Sequence, residues 1–150
     1  MYKFLYNANT VFMENITKTS IRLIKNFIKC GLIGWLLEII WTGFLAFRRR
    51  EKKLTCKTSI WMFPIYGLAS FFAPLSRSIK KLNLILRGII YTAFIFAIEF
   101  TTGLILKKHD SCPWDYSGKK YNFKGIIRLD YSPLWFISGL FFEKIILKKH

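Results

Sequence analysis

The sequence predicts an all-α integral membrane protein with about four transmembrane helices, an N-terminal amphipathic helix and an ordered loop between helices 3 and 4. Three observations predict it. Of the 150 residues, 53% are hydrophobic and 18% aromatic, yet the formal net charge is +16. The apolar residues fall in several runs of the length a bilayer requires, about twenty residues for a helix crossing its hydrocarbon core. The basic residues gather between those runs instead of forming one continuous face, which sets the pattern apart from that of a basic nucleic-acid binder. No nucleic-acid partner is expected. At this length one domain is the default, here a membrane domain over 30–150 preceded by an interfacial segment over 1–29.

Residues 1–9 are expected to be loose or interfacial, and no cleavable signal peptide is expected over residues 1–13. From about residue 10 to 29 the pattern turns amphipathic. Lys18, Arg22, Lys25 and Lys29 share one face at i, i+4, i+7 and i+11, with Ile16, Leu23, Ile24, Phe27 and Ile28 on other faces. Such a helix suits anionic lipid headgroups. The equal alternative is that these cations simply flank the first span.

The first span, about 30–47, carries Gly31, Gly34, Glu38 and Thr42 along one side, so an acid sits on a small-residue stripe beside Trp35 and Trp41. A basic block at 48–53 ends it. The second span, about 58–76, contains Pro64, which removes a backbone donor, and Gly67, which loosens the next turn. A kinked or broken helix follows, either packed by its neighbours or lining a ligand site.

The third span, about 88–106, is the stretch around which the chain is organised. It is apolar, basic at both ends, and holds one acid, Glu99. A lone carboxylate at that depth costs about 2.5–3.5 kcal/mol on insertion scales, so it turns towards protein or a wet cavity. Thr92, Glu99, Thr102 and Gly103 form a small and polar stripe on that side, interrupted by Ile95. The loop over 108–131 is rich in aromatics and turn formers, as befits an ordered lid or interfacial element. The fourth span, about 132–147, is the shortest. Glu143 and Lys144 near its end are expected to pair or snorkel, and Lys148 and Lys149 mark the exit. With four spans, Lys and Arg divide evenly, twelve to each side, so the positive-inside rule does not orient the chain. The dense block at 48–53 favours the first and third loops in the cytoplasm.

Glu38 and Glu99 are the leading site candidates. Burial disfavours the charged form of a carboxyl group unless a cation or donor compensates. The functional expectation is that both acids face one internal cavity and bind a cation, a proton or a substrate amine, with Tyr66, Thr102 and Trp35 as further binding candidates. A structural polar contact that holds the bundle together is the alternative. In the third loop Trp114, Asp115, Tyr116, Asn122, Lys124 and Arg128, with Lys119 and Lys120, combine aromatic edges and cations suited to a phosphate-bearing headgroup. The alternative there is aromatic anchoring, with Asp115 capping a turn. Cys30, Cys56 and Cys112 lack any CxxC spacing, and neither metal nor cofactor is expected.

Several short motifs occur in a fixed order: Gly34-Trp35-Leu36-Leu37-Glu38, Pro64-Ile65-Tyr66-Gly67, Glu99 with Thr102-Gly103, Trp114-Asp115-Tyr116-Ser117, Asn122-Phe123-Lys124-Gly125, and Ser132 with Trp135 and Gly139. Across about residues 27–140 they resemble the bacterial membrane family of putative ABC-transporter type IV, the CmpB-like proteins. The chain departs from that family's pattern at Lys107, where members usually carry an acid, and at Ile126, where arginine usually follows the glycine. The glycine-proline run that often precedes Pro-Ile-Tyr-Gly is also absent.

The resemblance implies a multi-pass protein of the bacterial plasma membrane, a small permease-like or transport-associated subunit. The partners expected are the lipid bilayer and anionic phospholipid headgroups, from the apolar runs and the loop cations, and a separate ATPase subunit or further copies of itself in a homo-oligomer. The chain has no GxxxxGK[ST], HExxH or GxSxG, so it is not itself an ATPase and no enzyme is expected. Two alternatives stand beside this reading. One is a lipid-binding or regulatory membrane protein without transport activity. The other is an intramembrane lipid-modifying enzyme that uses His109 with Asp110 or Asp115.

Overall fold

The computed structural model describes residues 2–147 and is mostly helical. The first element, α1, is one unbroken helix over Tyr2–Arg48. Of the two expectations for residues 1–9, loose or interfacial, the loose one does not hold: the chain is helical from Tyr2, and the helix continues across residue 29 without a break. The reason lies in composition: no Gly or Pro stands between residues 2 and 30 to stop a helix once begun. At 1.5 Å per residue the rod is roughly 70 Å long. The exit cations Lys148 and Lys149, and His150, lie outside the described residues.

After α1 the chain turns through Arg50 and Leu54, whose φ values of 58° and 45° are left-handed. It then runs back along the small-residue stripe. The Lys57 N–H donates to Thr42 Oγ1 (3.1 Å), and Cys56 lies against Gly43. Helix α2 (Met62–Gly67) sets Phe63 on Gly31 and Tyr66 on Gly34, while Phe27 of α1 covers Gly67. Small residues let the two backbones approach this closely.

A 3-10 turn over Leu68–Phe71 separates α2 from α3 (Phe72–Ile79), so the second apolar run is broken as expected. The break comes in the turn directly after Gly67, where the sequence predicts loosening. Pro64 is the third residue of α2 and Pro74 the third of α3, positions in a first turn where a missing N–H removes no helical bond. In a continuous helix the Pro74 ring would meet the carbonyl of Ser70, four residues back. Tightening to 3-10 geometry over Leu68–Phe71 relieves that clash.

Helix α4 (Leu84–Lys108) is capped by Asn83, whose Oδ1 accepts the Leu86 N–H at 2.9 Å. Helix α5 (Ser132–Leu147) packs antiparallel on it, with Phe136 on Gly88 and Tyr91 on Gly139. The core forms where the helices meet, from Cys30, Ala69, Phe72, Tyr91, Phe142 and Ile146. Phe72 stacks on Tyr91 with ring centroids 5.3 Å apart, and the Tyr91 hydroxyl donates to Ser76 Oγ at 2.8 Å. Arg87 donates to Glu143 Oε1 at 3.0 Å, the Glu143 side chain being only 5% exposed. Glu143 therefore neither pairs with Lys144 nor snorkels. Adjacent helical residues do not face each other, and only Glu143 points towards α4.

Between α4 and α5 lies a small antiparallel hairpin, β1 (Asn122–Phe123) and β2 (Ile127–Arg128), with Asn122 opposite Arg128 and Phe123 opposite Ile127. A 3-10 turn over Leu129–Tyr131 leads from it into α5. The all-α expectation misses this ladder, since two residues per strand are too few to display a period of two.

Among the described residues, two helices are long and apolar enough to cross a membrane: α1 over Met13–Arg48, and α4. Only 22% and 17% of their most apolar windows are buried, whereas the core helix of a globule would be mostly covered. Helix α5, with 16 residues, and the separate α2 and α3 are each shorter than a single spanning helix.

Candidate functional site

Glu38 on α1 and Glu99 on α4 open onto one cavity of about 870 Å³, walled by α1, α2, α4, α5 and the loop that follows α4. Each acid owes its setting to a glycine one turn away. Gly34 precedes Glu38 by four residues and lets Tyr66 approach α1 closely, so that its phenol reaches the Glu38 carboxyl group. Gly103 follows Glu99 by four residues and leaves room for Ile126 and the Trp114 ring. The loop thus descends onto α4, and its Tyr116 hydroxyl faces Glu99, as does the indole of Trp135 from α5.

The electrostatics of this space are one-sided. Glu99 is 9% exposed. Glu38 Oε2, Glu99 Oε2 and Trp135 Nε1 are buried and have no hydrogen-bond partner within the protein. Among the described residues, neither acid takes part in an ion pair. Lys57 stands at the rim as the lining cation. Such a space offers acceptors and aromatic faces to a cation and little to an anion.

The loop is held by its own polar side chains. Asp115 accepts the Ser117 N–H (3.0 Å) and hydroxyl (2.6 Å). These bonds hold its carboxyl below the usual carboxylate range, and Lys107, 3.6 Å away, adds to the effect. Asn122 Oδ1 accepts the Gly125 N–H at 2.9 Å, and its amide donates to the Lys119 and Ser117 carbonyls. The Trp114 indole donates to the Ile126 carbonyl at 2.9 Å. Lys124 lies 5.8 Å from the ring centres of Phe100 and Phe123. Arg128 forms a two-pronged pair with Asp130 and sits 4.2 Å over the Tyr131 ring. Burial keeps the Tyr116 phenol protonated well above the usual tyrosine range, and the charge of Glu99 adds to this.

Of the residues singled out from sequence, the fold brings Glu38, Tyr66, Glu99, Trp114 and Tyr116 to the cavity. It does not bring Trp35 or Thr102 there. Trp35 packs edge-on to Phe63 at 6.4 Å, and Thr102 returns its hydroxyl to the Ile98 carbonyl at 2.7 Å, a bond internal to α4. Asp115, Asn122, Lys124 and Arg128 shape the loop and do not line the cavity. His109 caps the end of α4, and among the described residues no ion pair joins it to Asp110 or Asp115. Two cavity residues, Tyr131 and Trp135, escaped the sequence reading as site candidates. Their i, i+4 aromatic spacing at the entry to α5 is the signal that could have found them.

No solved structure matches the chain. The sequence model of the putative ABC-transporter type IV family matches residues 25–149, a stretch that holds both acids, Tyr66 and the entire loop, and the chain belongs to that family.

Proposed function

We propose that this chain is a small multi-pass membrane protein, a permease-like or transport-associated subunit, whose two intramembrane acids line an internal site for a cation, a proton or a substrate amine. One observation carries it: Glu38 and Glu99, from different helices, line the same space, and each keeps a buried carboxyl oxygen that has no hydrogen-bond partner within the protein. Acids buried in a membrane are retained for function more often than for packing. Family membership supports association with other transporter components. The ATPase is then a separate subunit, because this chain has no phosphate-binding loop.

In this reading the chain crosses the bacterial plasma membrane four times. The second crossing is the broken run from α2 through α3, and the shorter α5 is the fourth. The exposed apolar surfaces of α1 and α4 support it. Since α1 is roughly 70 Å long against about 30 Å of hydrocarbon, its basic first half lies at or beyond the interface.

The test is gentle-detergent purification from the native host followed by intact-complex mass spectrometry. A stoichiometric ATPase or sister permease is expected. A homo-oligomer carrying only phospholipid overturns the ATP-driven reading. It would favour a second reading, lipid binding without transport, which is supported by the exposed Lys119, Lys120 and Tyr121 at the loop tip.

A further inference from the structure

The cavity does not end at the acids. Ile40 and Phe44 of α1, and Ile137 and Phe141 of α5, line it and also face outward, with 59%, 47%, 66% and 43% of their surfaces exposed. The cavity therefore has an apolar mouth in the outer wall between α1 and α5. In the membrane setting proposed above, that mouth opens sideways onto lipid tails and not onto water.

The inner end has the opposite character. Glu99 lines it and keeps a buried oxygen without a hydrogen-bond partner, with Glu38 and the aromatic groups of Tyr66, Tyr116 and Trp135 close by. Carboxylates with aromatic faces are the combination that holds an ammonium group by charge and by cation–π attraction. A free metal ion would find no use for the apolar mouth, and an uncharged lipid tail would leave both acids unpaired at a desolvation penalty. The volume of about 870 Å³ lies within the range of small-molecule sites.

We infer that the cavity takes a cationic amphiphile, its ammonium head between Glu38 and Glu99 and its hydrocarbon tail in the gap between α1 and α5. This names the ligand class of the site proposed above and rests on that reading. A phosphate or sulfate head does not fit this site, since two acids without an ion-pair partner repel an anion.

The test uses the full chain in phosphatidylcholine nanodiscs and follows tryptophan fluorescence, since Trp114 and Trp135 line the cavity. Three probes are titrated: dodecylamine, dodecanol and tetramethylammonium. Dodecylamine is expected to give a saturable change, with the other two at least about tenfold weaker. Glu99→Gln is expected to weaken dodecylamine binding about tenfold or more while leaving the unfolding temperature within a few degrees. If that variant does not fold, Glu38→Gln carries the same expectation.

Dodecanol binding as tightly as dodecylamine overturns the pairing of head and acids, and the acid site with it. Tetramethylammonium binding as tightly as dodecylamine overturns the tail gap alone and leaves the cation site standing. No saturable change with any probe overturns the ligand class, whereas transport association is decided separately by whether an ATPase co-purifies.

Discussion

Gly34 and Tyr66 touch so closely that a side chain at Gly34 has no room: a Cβ there would stand less than 3.0 Å from Tyr66 Cγ. This contact seats α2 on α1 and aims the Tyr66 phenol at Glu38. Gly34→Ala is expected to destabilise the protein by about 1–3 kcal/mol, the usual result of overfilling a packed contact. Gly118→Ala is the control, since nothing lies within 4 Å of a Cβ at that position, and it is expected to stay within about 0.5 kcal/mol. Thermal unfolding in detergent of both variants checks the difference. Equal stability would mean that α2 does not rest on the glycine stripe.

Arg87 and Glu143 tie α4 to α5 from opposite ends of the two helices, with Glu143 almost wholly buried. Removing one partner strands the other without compensation, so Glu143→Leu is expected to cost about 3–5 kcal/mol. Replacing both, as Arg87→Met with Glu143→Leu, is expected to recover much of that loss, because the stranded charge disappears too. A double-mutant cycle read by thermal unfolding checks it. Simple additivity of the two losses would show that the pair does not act as one.

The loop has a pH dependence whose sign follows from Asp115 and Asp130. The bonds from Ser117 hold Asp115, and those from Arg128 hold Asp130, below the ordinary value of 3.8. A depressed carboxyl adds stability that is present above its unfolded value and lost as pH falls through its folded one. The loop is therefore ordered at neutral pH and loosens below about pH 4. The Ser117 and Gly125 amide resonances, followed from pH 7 downwards, are expected to lose their dispersion in that window. Asp115→Asn is expected to loosen the loop already at neutral pH and to flatten the transition.

The exposed tip of the loop gives the lipid-binding reading its own measurement. Each Lys or Arg near an anionic surface contributes about 1 kcal/mol to attraction. Neutralising Lys119, Lys120 and Lys124 together is expected to reduce the anionic lipid retained by the purified protein, as seen by mass spectrometry. Retention at the wild-type level would leave the loop only a structural strap.

The cysteines supply a check on packing. Cys30 is fully buried in the helical core, while Cys56 lies exposed on the segment after α1. Thiol labelling of the folded protein is expected to modify Cys56 promptly and Cys30 only on unfolding. Prompt labelling of Cys30 would contradict the core as described.

Where helices lie was legible in the sequence because apolar runs and the charges that end them are local. The runs near 30–47, 88–106 and 132–147 fall within α1, α4 and α5, and Gly31, Gly34, Glu38 and Thr42 do form one working face. The glycine stripe was readable for the same reason, since helical periodicity alone brings i and i+4 to one side. What the sequence left open is everything that depends on a partner distant in the chain. The break after Gly67 was legible, but the part Pro74 plays in it was not, because that depends on which turn each proline begins. Glu143 looks across to Arg87, 56 residues away, and not to its neighbour Lys144. Thr102 satisfies itself within α4, while the Trp135 indole faces Glu99 from α5. The sequence by itself determined that two acids would be carried on apolar helices beside small residues. That their carboxyl groups share one cavity was decided only by the tertiary structure, because a common space is made by the packing of α2, α5 and the loop against both helices at once.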